Sequence, residues 1–156
     1  MKQNLLFLGI IVLSFYGCSQ ENEIGPINEL VGSYEFNMKN VGNNYELDFV
    51  DRLQFNPDGV VYGEGVASLS GTNQVLGYRY YFNGSYKIED GIVSITEAET
   101  FQTQDEASFF DAKDDLVYKD GRQVWDQFAI EDNYQKLHGI CPPNANCLNI
   151  IFNKIY

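Results

Sequence analysis

Residues 78–95 read YRYYFNGSYKIEDGIVSI, and their alternation decides the fold. Tyr78, Tyr80, Phe82, Gly84, Tyr86 and Ile88 fall on one side of an extended chain; Arg79, Tyr81, Asn83, Ser85 and Lys87 fall on the other. Successive side chains of a strand point to opposite faces, so this spacing reads as a strand packed on one side and wet on the other. Asp90-Gly91 then breaks the pattern with two residues that tolerate positive φ, as a tight hairpin requires, and Ile92 resumes it.

The same spacing recurs toward both ends. In Leu30–Met38 (LVGSYEFNM) one face collects Leu30, Gly32, Tyr34, Phe36 and Met38; in Leu148–Tyr156 (LNIIFNKIY), Leu148, Ile150 and Phe152 share a face. Further turns are marked by Asp58-Gly59, Asp120-Gly121 and Glu131-Asp132-Asn133. No segment carries an apolar repeat at helical spacing, although Glu97–Asp115 fits a strand, a short helix or a loop. The pattern predicts about eight strands: 30–38, 46–56, 60–68, 76–88, 92–97, 101–110, 122–137 with a turn inside, and 148–156. Hairpins in chain order form an antiparallel meander. One open sheet of that size would leave a broad apolar face and two unpaired edges, and closure into a barrel removes both. A two-sheet sandwich has the same periodicity. We expect an all-β fold, with the barrel favoured.

The chain opens differently. Met1 and Lys2 precede the apolar run Leu5–Phe15, which has the length of a secretory segment and falls short of the ~20 residues that span a bilayer. With Gly17 and Cys18 behind it, this stretch resembles a bacterial lipoprotein signal. That resemblance implies cleavage after residue 17, acylation of Cys18, a tether over 18–28 and a domain over 29–156. Two or three acyl chains hold a protein stably at a membrane, where one holds it marginally. Ser19 behind the cysteine implies the outer membrane. Glu21 and Glu23 resemble the acidic tract of surface-exported lipoproteins, and either side of that membrane stays open.

Cleavage after residue 17 would remove Lys2 and no acid, leaving nine basic against 22 acidic residues and a net charge of −13. Such a domain repels nucleic acid, whose phosphates require clustered Lys and Arg, and favours cationic partners. Its length suits one compact core, and we expect a monomer. Cys141 and Cys147 flank Pro-Pro-Asn-Ala-Asn, a turn composition, and in an oxidising compartment a disulfide is the expected outcome. A metal or redox site lacks support, with no CxxC and a single histidine, His138. That histidine has no motif serine nearby, and 22 acids make no carboxylate pair informative for hydrolysis. Asp111, Asp114, Asp115 and Asp120 lack the spacing of a calcium loop, so a solvated acidic loop is the better reading. No cofactor is expected.

Four stretches together, LVGSYEFN (30–37), RLQFNPDGVVYG (52–63), YYFNGSYKIEDGIVSI (80–95) and FAIEDNYQKLHG with LNIIFNKIY (128–139, 148–156), resemble the lipocalin-like and META-type domains of small bacterial lipoproteins. The resemblance implies a closed barrel and no catalytic residues. Tyr34, Phe36, Phe55, Tyr78, Tyr80, Phe82 and Tyr86 are expected to share its interior, as core or as the wall of a pocket for a small apolar ligand. Trp125, out of phase with its neighbours, is placed outside. The expected function is a non-catalytic, lipid-anchored binding module of the cell envelope. It would hold an apolar ligand inside or a cationic protein on its acidic exterior.

Overall fold

The computed structural model describes residues 26–72, 74–105, 107–120, 126–143 and 145–155. Cys18 with its tether to residue 25, Gly121 and Trp125 lie outside them. A five-residue helix, α1 (Pro26–Leu30), leads into nine strands. They are β1 (Gly32–Val41), β2 (Leu47–Phe55), β3 (Val60–Leu69), β4 (Val75–Glu89), β5 (Ile92–Gln102), β6 (Val117–Tyr118), β7 (Gln127–Glu131), β8 (Lys136–Gly139) and β9 (Ile151–Ile155).

Every pairing is antiparallel. Each strand lies beside its successor, except that β7 passes β6 to join β5, and β9 returns to β1 at Ser33–Glu35. Eight strands therefore close a barrel, and β6 adds a short rung outside β5 at Phe101 and Gln102. Closure satisfies the edge groups that an open meander would leave unpaired. Two of the hairpins turn where the sequence has Asp-Gly, β2–β3 at Asp58-Gly59 and β4–β5 at Asp90-Gly91. Asp90 and Gly91 both adopt positive φ (51° and 76°), which matches the right-handed twist of the flanking strands. The β7–β8 turn does the same with Asp132, Asn133 and Tyr134.

Strand boundaries depart from expectation in three places. The segments 92–97 and 101–110 are not two strands: 92–102 is one strand, bent where Ala98 is the extra residue opposite Asn83 and Gly84, and 103–116 is a loop with a 3-10 turn at Lys113–Asp115. The final strand begins at Ile151, and Leu148 is exposed. A second bulge sets Gly65 opposite Tyr80 and Val66 opposite Tyr78, leaving Arg79 unpaired between them. A bulge reverses the inside–outside alternation beyond it. Tyr78 is consequently outside the barrel, against expectation, and Arg79 turns inward.

The core is one apolar cluster from Leu30 of α1 through Tyr34, Phe55, Val61, Val93, Phe128, Leu137 and Phe152, with a smaller one of Leu47, Phe49 and Ala67 toward the other end. Leu30 of α1 is fully buried within this cluster. Facing Gly63 and Gly65 of β3 stand Phe82 and Tyr80 of β4. A Cβ at Gly63 would lie 2.0 Å from the Phe82 ring, and one at Gly65 2.4 Å from the Tyr80 ring. The missing side chains are the space those two rings occupy.

Candidate binding surface

Five of the expected interior aromatics, Tyr34, Phe55, Tyr80, Phe82 and Tyr86, are buried, and Phe36 packs against them half-buried. Tyr34 meets Phe55 edge-on at 5.6 Å, Phe55 meets Tyr86 edge-on at 5.0 Å, and Phe36 tilts against Phe152 at 5.8 Å. These are the offset geometries that ring quadrupoles favour. The Tyr34 hydroxyl donates to the Tyr134 carbonyl (2.8 Å) and the Tyr86 hydroxyl to the Asn56 carbonyl (2.7 Å). Burial raises the pKa of both phenols. Tyr34, Phe55 and Phe128 have at most 1% of their surface exposed, so they border no water-sized space.

Toward the opposite end the interior turns polar. Arg79 donates to Asp51 (2.7 Å) and lies 4.2 Å above the Phe49 ring, while Thr100 and Gln102 are buried alongside on β5. Among the described residues, no buried side-chain nitrogen or oxygen is left without a partner.

An open groove lies on the outside. A groove of about 340 Å³ is lined by Ser33, Arg52, Gln54, Tyr62, Glu64, Tyr81 and Lys113, with backbone of Leu53, Gly63 and Phe82. Strand register builds it. Ser33, Gln54, Tyr62 and Asn83 are successive cross-strand partners over β1–β4; Glu35, Arg52, Glu64 and Tyr81 form the next ladder. These ladders are its two walls, and Lys113 of the 3-10 turn overhangs one end.

The charges of the groove are matched internally. Arg52 donates to Glu35 (2.9 Å) and Glu64 (3.5 Å), and Lys113 approaches Glu64 at 4.0 Å while lying 5.1 Å above the Tyr81 ring. Burial is the largest single influence on Glu35 and raises its pKa, but the hydrogen bonds from Asn37 and Arg52 and the charges of Arg52 and Lys39 together outweigh it and leave the pKa lowered. Tyr81 stacks on Phe101 (4.7 Å, 11°), which makes it a fixed platform, and Tyr62 is 52% exposed. No protein-family model and no characterised protein matches this chain. Neither tyrosine hydroxyl has a hydrogen-bond partner among the described residues, and the Ser33 hydroxyl donates to the Gln54 carbonyl oxygen, leaving the Gln54 amide hydrogens free.

The remaining sequence candidates are placed as follows. Cys141 and Cys147 stand at disulfide distance, Cα atoms 5.8 Å apart, in the β8–β9 connection. His138 on β8 sits 3.0 Å from Glu131 and 2.6 Å from Asn149, and the Glu131 carboxylate raises its pKa, helped by Asn149. The backbone of Asp111 pairs with Tyr78, and Asp114 and Asp115 form the 3-10 turn. Among the described residues no group of three His, Cys, Asp or Glu is placed to hold a metal ion, and no helix is long and apolar enough to cross a membrane. The groove escaped the sequence reading because period two assigns a face and not a register, and only register brings Ser33, Gln54 and Tyr62 into one row.

Proposed function

We propose that this chain is a non-catalytic, lipid-anchored binding module of the cell envelope, of the lipocalin-like or META-type kind, and that it binds through the outer groove. One observation carries this reading: the interior aromatics are occupied with one another, whereas the exposed Tyr62 ring and the Gln54 amide group present ring and polar surface to solvent beside Tyr81. A small apolar guest inside the barrel would have to displace rings such as Tyr34 or Phe55, whose exposure is nil. A cationic protein partner is the second reading, favoured by the net charge of −13 after cleavage.

Anchoring and binding are tested together. Cys18→Ser is expected to move the protein from membranes to the soluble fraction, and the Tyr62→Ala/Tyr81→Ala protein to lose the envelope component that co-purifies with the wild type. Membrane retention of the Cys18→Ser protein, or co-purification that ignores the tyrosines, overturns the proposal.

A further inference from the structure

We infer that the groove between the Ser33–Gln54–Tyr62 and Arg52–Glu64–Tyr81 ladders is a subsite for a neutral oligosaccharide; this rests on the groove being the binding face. Its volume of about 340 Å³ sits at the lower end of the range for small-molecule clefts, ~300–1,000 Å³, and suits a ligand of one or two rings. A protein partner of standard size would cover ~800 Å² instead.

The lining selects the ligand class. A pyranose presents aliphatic C–H groups on its flat faces and hydroxyls at its rim. Electron-rich ring faces attract the first. The exposed Tyr62 supplies such a face, Tyr81, set between Phe101 and Lys113, supplies a ring wall and a hydroxyl beside it, and Ser33, Gln54, Arg52 and the Tyr62 hydroxyl supply donors and acceptors around them. Two cations, Arg52 and Lys113, already face two carboxylates, Glu35 and Glu64. An anionic ligand would have to break those pairs against the domain's negative charge, and a cationic one would find its carboxylates engaged. A peptide strand is disfavoured as well, since the ladder residues of β1–β4 that build the groove are paired on both sides and no strand addition is open there.

The test is titration of the purified full-length protein in detergent with neutral hexasaccharides of the β-1,4-glucan, β-1,4-mannan and β-1,4-xylan types. At least one is expected to bind, with affinity falling about tenfold or more in Tyr62→Ala, as loss of a stacking platform requires, and falling also in Tyr81→Ala, which removes a wall of the groove. Tyr62→Phe, which keeps the ring, should retain most of the affinity; Tyr45→Ala, outside the groove and exposed, should leave it unchanged. Binding that is insensitive to both tyrosines, or a Tyr62→Phe protein as defective as Tyr62→Ala, overturns the subsite. If no hexasaccharide binds while the double tyrosine variant still loses its envelope component, the sugar assignment fails and the binding-module reading stands. If that component is also indifferent to the tyrosines, both fail.

Discussion

Asp51 and Arg79 show how much one pair of residues decides. In the alternation of β2, Asp51 shares the inward phase with Leu47, Phe49, Leu53 and Phe55, so a carboxylate enters an apolar row. Burying a charge is costly unless it is paired. The bulge at Arg79 supplies the pair, and Phe49 supports the guanidinium from one side. Arg79→Met should cost about 3 kcal/mol in urea unfolding because it removes the counter-charge of the inward Asp51 carboxylate, while Asp51→Leu/Arg79→Met should recover most of that loss. Equal destabilisation of the single and double variants would show that packing of the Arg79 stem, and not the charge, is what matters. Asp48 works outside the barrel: its carboxylate accepts from the Asn40 amide (3.0 Å), Ser70 (3.0 Å), Lys39 (3.1 Å) and the Gly71 amide (3.2 Å), clasping the end of β1 to the β3–β4 turn. The Asn40 hydrogen bond leads in holding its pKa well below the usual carboxylate range, against the opposing effect of burial. A depressed folded-state pKa contributes stability that is complete above the unfolded value, about 4, and is lost as pH falls through the folded one. Asp48→Asn should therefore lower the unfolding midpoint at pH 7, with the difference from wild type narrowing below about pH 4. A difference constant with pH would refute the assignment.

At the scale of strands and turns, alternation was sufficient to read β1–β4, Asp-Gly pairs to read the β2–β3 and β4–β5 hairpins, and Glu131-Asp132-Asn133 to read the β7–β8 turn, because side-chain period and positive φ are local properties. Bulges are not local. The extra residue at Arg79 is defined by what stands opposite on β3, and the run from Tyr78 to Ile88 alternates without interruption, so Tyr78 was read to the wrong face. The one legible clue lay elsewhere, in the inward Asp51 that needed a counter-charge. Gly63 and Gly65 tell a similar story: in sequence they look like turn or flexibility residues, whereas their role is to leave room for Phe82 and Tyr80 across the ladder. Gly63→Ala should destabilise the barrel by ~1–3 kcal/mol through overpacking, and Gly63→Ala/Phe82→Leu should restore part of that by removing the obstructing ring. A Gly63→Ala protein as stable as wild type would mean that β3 and β4 shift apart at little cost.

For the molecule as a whole, closure is uneven. β2 and β3 pair continuously from Leu47–Leu69 to Phe55–Val61, and β4 runs fifteen residues. On the other side, β9 meets β1 only at Ser33–Glu35, β8 meets β9 only at Lys136–His138, and β7 meets β5 only at Ile92–Ser94. The Cys141–Cys147 link lies on this short-stranded side, in the connection between β8 and β9. Regions with few ladder bonds open at lower free energy than the global transition. Amides of β7–β9 should accordingly exchange with solvent hydrogen before those of β2–β4. Opening of β8 and β9 frees their connection, as global unfolding also does, so a link across so small a loop should stabilise against both by about 2 kcal/mol. Replacing both cysteines by serine should then reduce protection about 30-fold in β8–β9 and in β2–β4 alike, the equivalent of that free energy. Uniform protection around the wild-type barrel would refute the weak seam, and a loss of protection confined to residues 140–150 would show that the link restrains its own loop and not the closure of the barrel.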